Sequence, residues 1–204
     1  VSAPDILMPF AVTSANAWIA DVSDRLTLSF QDVAPATALP GTTLALMRLT
    51  MRVEENIFLP TILVSLTGTL SLTAVQDVRL YWDRGTTGFI EGEEALHALT
   101  VSFSADRLAT LSNLSIALSA GQGFYDFPYW LVIVTKTGAS NSSTIGMTIP
   151  HASFVSPSPY DVDVVSSANF PMGSSLVTIT QGVLTPPTHF TLAGIISEGP
   201  GQPL

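Results

Sequence analysis

The amino-acid sequence predicts an all-β chain folded as an antiparallel β-sandwich. Apolar and polar residues alternate with period two along most of its length, whereas the 3.6-residue period of an amphipathic helix is nearly absent. Glycine and proline punctuate this pattern at Leu39-Pro40-Gly41, Ala120-Gly121-Gln122-Gly123, Ser156-Pro157-Ser158-Pro159 and Thr185-Pro186-Pro187. Strands about ten residues apart with turn signals between them are the spacing of a two-sheet sandwich.

The elements follow in order. Arg25 to Phe30 alternates cleanly. Thr43 to Val53 places Ala45, Met47, Leu49, Met51 and Val53 on one side, the expected core face, and Leu44, Leu46, Arg48, Thr50 and Arg52 on the other. Ile62 to Leu72 is a strand interrupted at Gly68. Short strands are expected over Asp77–Trp82, Thr100–Phe103, Leu114–Leu118, Tyr129–Thr135, Thr144–Ile149, Val162–Val165 and Leu176–Thr180, with a last one over Phe190–Ile196. The alanine-rich stretch Glu93–Leu99 suggests one or two helical turns. The chain divides into an N-terminal extension over 1–18, a sandwich over 19–180, and a Pro- and Gly-containing strand and tail over 181–204.

Composition narrows the function. The chain has 204 residues, 47% of them hydrophobic and only 11% charged, so a sizeable core is available and disorder is not expected. Net charge is −9, and the seven cations are Lys136 and six scattered arginines. No basic patch can be built from these, which argues against nucleic acid and anionic lipid as partners. There is no cysteine, so disulfides, thiolate metal sites and cysteine nucleophiles are excluded. The longest apolar runs, such as Trp130–Val134, are far too short for a membrane-spanning helix. A first residue of Val1 rather than Met suits a mature secreted chain after signal-peptide removal, as it suits any arbitrary starting point.

Four pieces of the stretch Val33–Ile179 carry a family likeness. They are Val33-Ala34-Pro35 through Gly41 followed by Leu46–Thr50; Val75–Asp83 with Gly88 and Glu91-Gly92-Glu93; Leu114–Gly121; and Trp130–Val134. Together they resemble the immunoglobulin-like domains of secreted and surface-anchored bacterial and archaeal proteins, including pilus, sheath and adhesin subunits. The resemblance implies an immunoglobulin-like sandwich, a location outside the cell or at its surface, and a structural role.

The loop Asp83–Glu94 has the length of an EF-hand calcium loop. In that register Asp83 is the first ligand, Thr87 the fifth, Gly88 the sharp turn, Phe89 a carbonyl ligand, Glu91 an acidic neighbour and Glu94 the bidentate carboxylate. Gly85 offers no side chain at the third position and Arg84 is repulsive, so a solvated acidic hairpin loop is the competing reading. Apart from calcium at this loop, no cofactor is expected.

No enzyme is legible. His97, His151 and His189 are the only histidines, no Gly-x-Ser-x-Gly elbow surrounds a serine, and no phosphate loop or zinc spacing is present. Acidic pairs such as Glu93/Glu94 and Asp161/Asp163 read as solubilising charge rather than a glycosidase pair. Tyr81, Trp82, Phe124, Tyr125, Phe127, Tyr129 and Trp130 offer a sugar-stacking platform or, alternatively, core and corner packing. Tyr81 and Trp82 must point to opposite faces of their strand.

The functional expectation rests on Val1–Val12. Ile6, Met8, Phe10 and Val12 share one face at period two, and Pro4 and Pro9 favour an edge position. Such a segment suits β-strand addition to another copy of the chain, or serves as the first strand of its own sheet. Thr188–Ile196 is a second candidate donor. Asn113-Leu114-Ser115 and Asn141-Ser142-Ser143 are N-glycosylation sequons. The expected function is a subunit of an extracellular, pilus-like filament or surface layer, with other copies of itself as partners. The alternatives are a viral capsid or decoration protein, and a calcium- or carbohydrate-binding module.

Overall fold

In the computed structural model residues 25–53, 56–85, 87–118, 125–158, 163–166 and 170–181 are described. They form strands β1 (Arg25–Asp32), β2 (Thr37–Ala38), β3 (Thr43–Val53), β4 (Ile57–Thr67), β5 (Val75–Trp82), β6 (Ala95–Thr100) and β7 (Leu108–Leu118). The second half adds β8 (Tyr125–Thr135), β9 (Thr144–Ile149), β10 (Val155–Ser158), β11 (Asp163–Ser166), β12 (Met172–Gly173) and β13 (Val177–Ile179). Leu72–Ala74 and Ala152–Phe154 are single 3-10 turns. The extension over 1–18, Ile6, Met8, Phe10 and Val12 with it, lies outside the described residues, as does the expected strand Phe190–Ile196.

Two sheets face each other. One runs β11-β1-β3-β8-β5-β6; the other runs β10-β4-β9-β13-β2, with β7 also paired to β4 and β12 to β9. Pairing is antiparallel except where β11 joins β1 and β2 joins β13. The fold is the all-β sandwich that the alternation predicts, of the immunoglobulin-like kind that the resemblance implies. Leu26, Leu28, Leu49, Met51, Leu59, Ile62, Val64, Leu80, Leu111, Ile133 and Met147 are fully buried between the sheets.

Two sequence expectations fail for local reasons. In β3 the ladder with β8 slips between Ala45 and Met47, so Leu44 and Leu46 face the core before the bulge and Met47, Leu49, Met51 and Val53 after it. One inserted residue exchanges the faces, and Ala45 turns to the outer side. Glu93–Leu99 is not helical. Residues from Ala95 onward are held as β6 by β5, with Trp82 opposite Ala95 and Val78 opposite Thr100, so pairing overrides a weak local propensity.

The strand expected over Ile62–Leu72 begins earlier, at Ile57, and ends at Thr67. Its ladder with β7 is irregular where Leu59 and Thr61 face Ile116 and Ser112, near Pro60, which has no N–H to donate. Asn113 takes up the irregularity at φ 56, a left-handed conformation asparagine tolerates better than most residues. Beyond Thr67 the chain turns at Gly68 (φ +89), and Leu70 N donates to Thr144 O at 2.9 Å. Arg107 braces this corner, its guanidinium donating to Leu66 O and Leu70 O.

A polar tie joins the sheets at the end of β1. The Asp32 carboxylate accepts from Ser175 N (2.9 Å), Ser175 Oγ (2.5 Å) and Ala34 N (3.1 Å). Burial opposes its ionisation, but these hydrogen bonds prevail and hold its pKa below the ordinary 3.8.

Two measurements check this fold. A Cβ at Gly68 would lie 2.4 Å from Thr144 O, so Gly68→Ala is expected to destabilise by roughly 2–4 kcal/mol in urea unfolding. A carboxylate with a depressed native pKa stabilises the fold above its unfolded pKa, and that contribution is lost as pH falls through the native value. The urea midpoint should therefore be level near neutrality and fall once acidification passes below about pH 4, and Asp32→Asn should flatten part of that fall.

Candidate functional site at the β6 edge

β8 is buried on both faces. Tyr129, Leu131 and Ile133 point into the core between the sheets, while Trp130 and Val132 point outward and join Tyr81 of β5 in a second apolar cluster. An outward-facing tryptophan needs a cover, and the acidic loop after Trp82 supplies it. Phe89 packs edge-on against Tyr81 (centroids 5.1 Å apart) and Trp130 (6.2 Å). The guanidinium of Arg48 sits 5.5 Å from the centre of the Trp130 ring.

Ion pairs pin this cover. Arg48 Nε and Nη2 both reach Asp83 Oδ2 at 2.7 Å, and Asp83 Oδ1 accepts from Gly85 N at 2.8 Å. Arg79 forks onto Asp77 (Nε to Oδ1 2.6 Å, Nη2 to Oδ2 3.0 Å), and its Nη1 donates to Glu91 Oε1 at 2.6 Å and to the Tyr81 hydroxyl at 3.1 Å. The Asp77 hydrogen bonds, against the cost of burial, push the Arg79 pKa upward. Glu94, buried, accepts from Arg84 N at 2.7 Å.

These contacts say where the residues of the calcium pattern lie. Gly88 makes the expected sharp turn at φ +90. Asp83 is bound to Arg48, Glu91 to Arg79, Phe89 lies on the sheet and Thr87 is exposed. The carboxylates of Asp83, Glu91 and Glu94 thus engage separate protein partners. Among the described residues no three His, Asp or Glu side chains gather in a group able to hold a metal ion. The sequence did not reveal these pairings. The only hint was arginine on the outward face of β3 and β5 in a chain with so few cations.

Among the described strands β6 pairs with β5 alone and closes one side of its sheet. Its ladder slips between Leu80 and Tyr81, so Leu96 stands opposite Tyr81 and Leu99 opposite Arg79, both on the outer face. Leu96, Leu99 and Val101 are 47%, 51% and 64% exposed, and Ile90 of the covering loop is 44% exposed. Four large apolar side chains at one strand edge form a surface suited to a β partner.

The aromatic residues divide as their alternation requires. Tyr81 is buried beneath Phe89, and Trp82, 43% exposed, is the last residue of β5. There it meets His97 edge-on (6.3 Å), and His97 meets Tyr129 (5.6 Å). Burial lowers the His97 pKa and raises that of Tyr129 to about 12. Phe124 lies outside the described residues. Of the sequon residues, Asn113 is exposed on the irregular part of β7. Asn141 is exposed too, but its Oδ1 accepts from Gln181 N, and the Ser143 hydroxyl is turned in to Ser140 O.

No family model and no curated protein matches the chain, so the filament-subunit likeness has no support from a family match. Among solved structures it is similar to the Hadza microbial sialidase Hz136, at 11% identity over 75% of this chain and 31% of that one, with a TM-score of 0.47. It is also similar to the sixth cohesin of Acetivibrio cellulolyticus scaffoldin B, solved with a Cel5 dockerin, at 12% identity over 77% of this chain and 99% of that one, with a TM-score of 0.27. The chain spans less than a third of the sialidase's length.

The Arg48–Asp83 pair yields a test of the cover. Asp83 is 3% exposed, so Arg48→Met leaves a buried carboxylate without its cation. The loss should be about 2–3 kcal/mol, because Arg48 itself is partly solvated. Adding Asp83→Asn should recover about 1 kcal/mol or more in a double-mutant cycle followed by urea unfolding.

Proposed function

We propose that this chain is a non-catalytic structural module of an extracellular surface assembly or pilus-like filament, whose copies join by β-strand addition at β6. The observation that carries this reading is the β6 edge, with Leu96, Leu99 and Val101 exposed and no second strand partner among the described residues. Edges of this kind are ordinarily blunted by charge, proline or a covering segment, and β6 carries no charged side chain.

The same chain contains a segment of matching chemistry. Ile6, Met8, Phe10 and Val12 alternate along Val1–Val12. Twelve residues at ~3.3 Å each span about 40 Å, well beyond what is needed to run beside the six residues of β6 and reach a neighbouring sandwich. Covering four such side chains is worth on the order of 6–12 kcal/mol gross, before the cost of ordering the segment. Main-chain hydrogen bonds would supply affinity and the alternate side chains register. The Ser- and Thr-rich, sparsely charged, cysteine-free composition suits an exposed polymer. Among the described residues no helix is long and apolar enough to cross a membrane.

Negative-stain microscopy and sedimentation of the full chain test the proposal. The parent is expected to form threads or ordered layers. Deletion of Val1–Val12 should leave a folded monomer, and Leu99→Lys on the edge should block assembly without unfolding the sandwich. Threads of normal length from the truncated chain would refute strand donation from this segment, and closed shells from the parent would favour the capsid alternative.

A further inference from the structure

We propose that the hollow beside Trp82, the last residue of β5, is a carbohydrate-binding cleft that takes neutral hexopyranose units of an oligosaccharide. Two hollows meet there. One, about 630 Å³, is lined by Trp82, Arg84, Asp126, Phe127 and Pro128 among others. The other, about 320 Å³, is lined by Trp82, His97, Phe127 and Tyr129 with Ile116 and Ala117. Trp82 and Phe127 belong to both, so aromatic side chains form the wall between two lobes of one cleft.

A pyranose ring has an apolar C–H face and a girdle of hydroxyls, and needs an exposed aromatic surface flanked by both donors and acceptors. Trp82 provides the first, since it follows Leu80 on the core side of β5, ends that strand and is 43% exposed. Its edge-on contact with His97, itself against Tyr129, restrains one side of the indole before any ligand arrives. That removes part of the ordering cost of binding. The rim offers both polarities in Arg84 and Asp126. Beyond Asp126 a smaller hollow lined by Thr27, Ser29, Thr50 and Arg52 continues the polar surface and gives room for a neighbouring sugar unit.

Charge favours a neutral sugar over an acidic one. The chain carries a net charge of −9, and the Arg52 cation is already forked onto Asp126 (Nε to Oδ1 2.7 Å, Nη2 to Oδ2 2.9 Å). An apolar peptide is the weaker fit, because the larger lobe opens between charged residues at its rim. Through His97 the cleft reaches the core side of β6, the face opposite the exposed Leu96 and Leu99.

Calorimetric titration of the full chain with maltohexaose, cellohexaose, mannohexaose and chitohexaose tests the proposal. Heat of binding is expected from at least one of them. Trp82→Ala should weaken that binding at least tenfold while the thermal melt stays cooperative, Trp82→Tyr should restore most of it, and Leu99→Lys should leave it unchanged. No heat from any of the four, or binding that persists in Trp82→Ala, overturns the proposal. Heat from a synthetic Val1–Val12 peptide that vanishes in Trp82→Ala, with none from any saccharide, also overturns it and gives the cleft to the chain's own segment.

Discussion

The arrangement depends on a single constraint: β8 is apolar on both faces. From Tyr129 to Val134 every side chain is buried, and only alternate ones can enter the space between the sheets. The others must be covered from outside. The loop after β5 does so by laying Phe89 across Tyr81 and Trp130, and the ion pairs of Arg48 with Asp83 and of Arg79 with Asp77 and Glu91 hold it in place. Two of the loop's four acidic residues, Asp83 and Glu91, are thus engaged by arginines of the sheet beneath it.

That cover stops short of the sheet's margin. It protects Tyr81 and Trp130, but their neighbour across the ladder, β6, keeps Leu96 and Leu99 in solvent. Burial of a doubly apolar central strand and exposure of an apolar edge strand are two results of the same geometry. The first engages the loop, and the second is the surface on which the proposed strand addition rests. At the end of β5, Trp82 stands partly exposed beside Phe127 and gives the molecule a second surface of different chemistry.

Much of this was legible in the residues. Alternation located β1, β3, β5, β8 and β9, and Pro40-Gly41 marked a real turn, whereas the strand read through Gly68 to Leu72 ends at Thr67. What escaped is what one strand's periodicity does not contain. The slip at Leu46 moves Ala45 off the core face, and the slip beside His97 decides that Leu96 and Leu99 share a face; both depend on the partner strand's register. Glu93–Leu99 has helix-compatible composition, and only the neighbour β5 makes it extended. The loop's twelve-residue calcium spacing is visible in sequence, whereas the cations that engage its carboxylates sit on other strands, 35 residues away for Arg48 and Asp83 and 12 for Arg79 and Glu91.

On the proposed mode of assembly the β6 edge is open in a single copy and covered by another. Hydrogen–deuterium exchange of the amides from Ala95 to Val101 measures this directly, in the full-length chain at assembling concentration and in the chain lacking Val1–Val12. Strand addition predicts strong protection of these amides in the assembly and fast exchange of the outward-facing ones in the truncated monomer. Equal protection in both would show that β6 is already satisfied within its own chain, and would contradict the account.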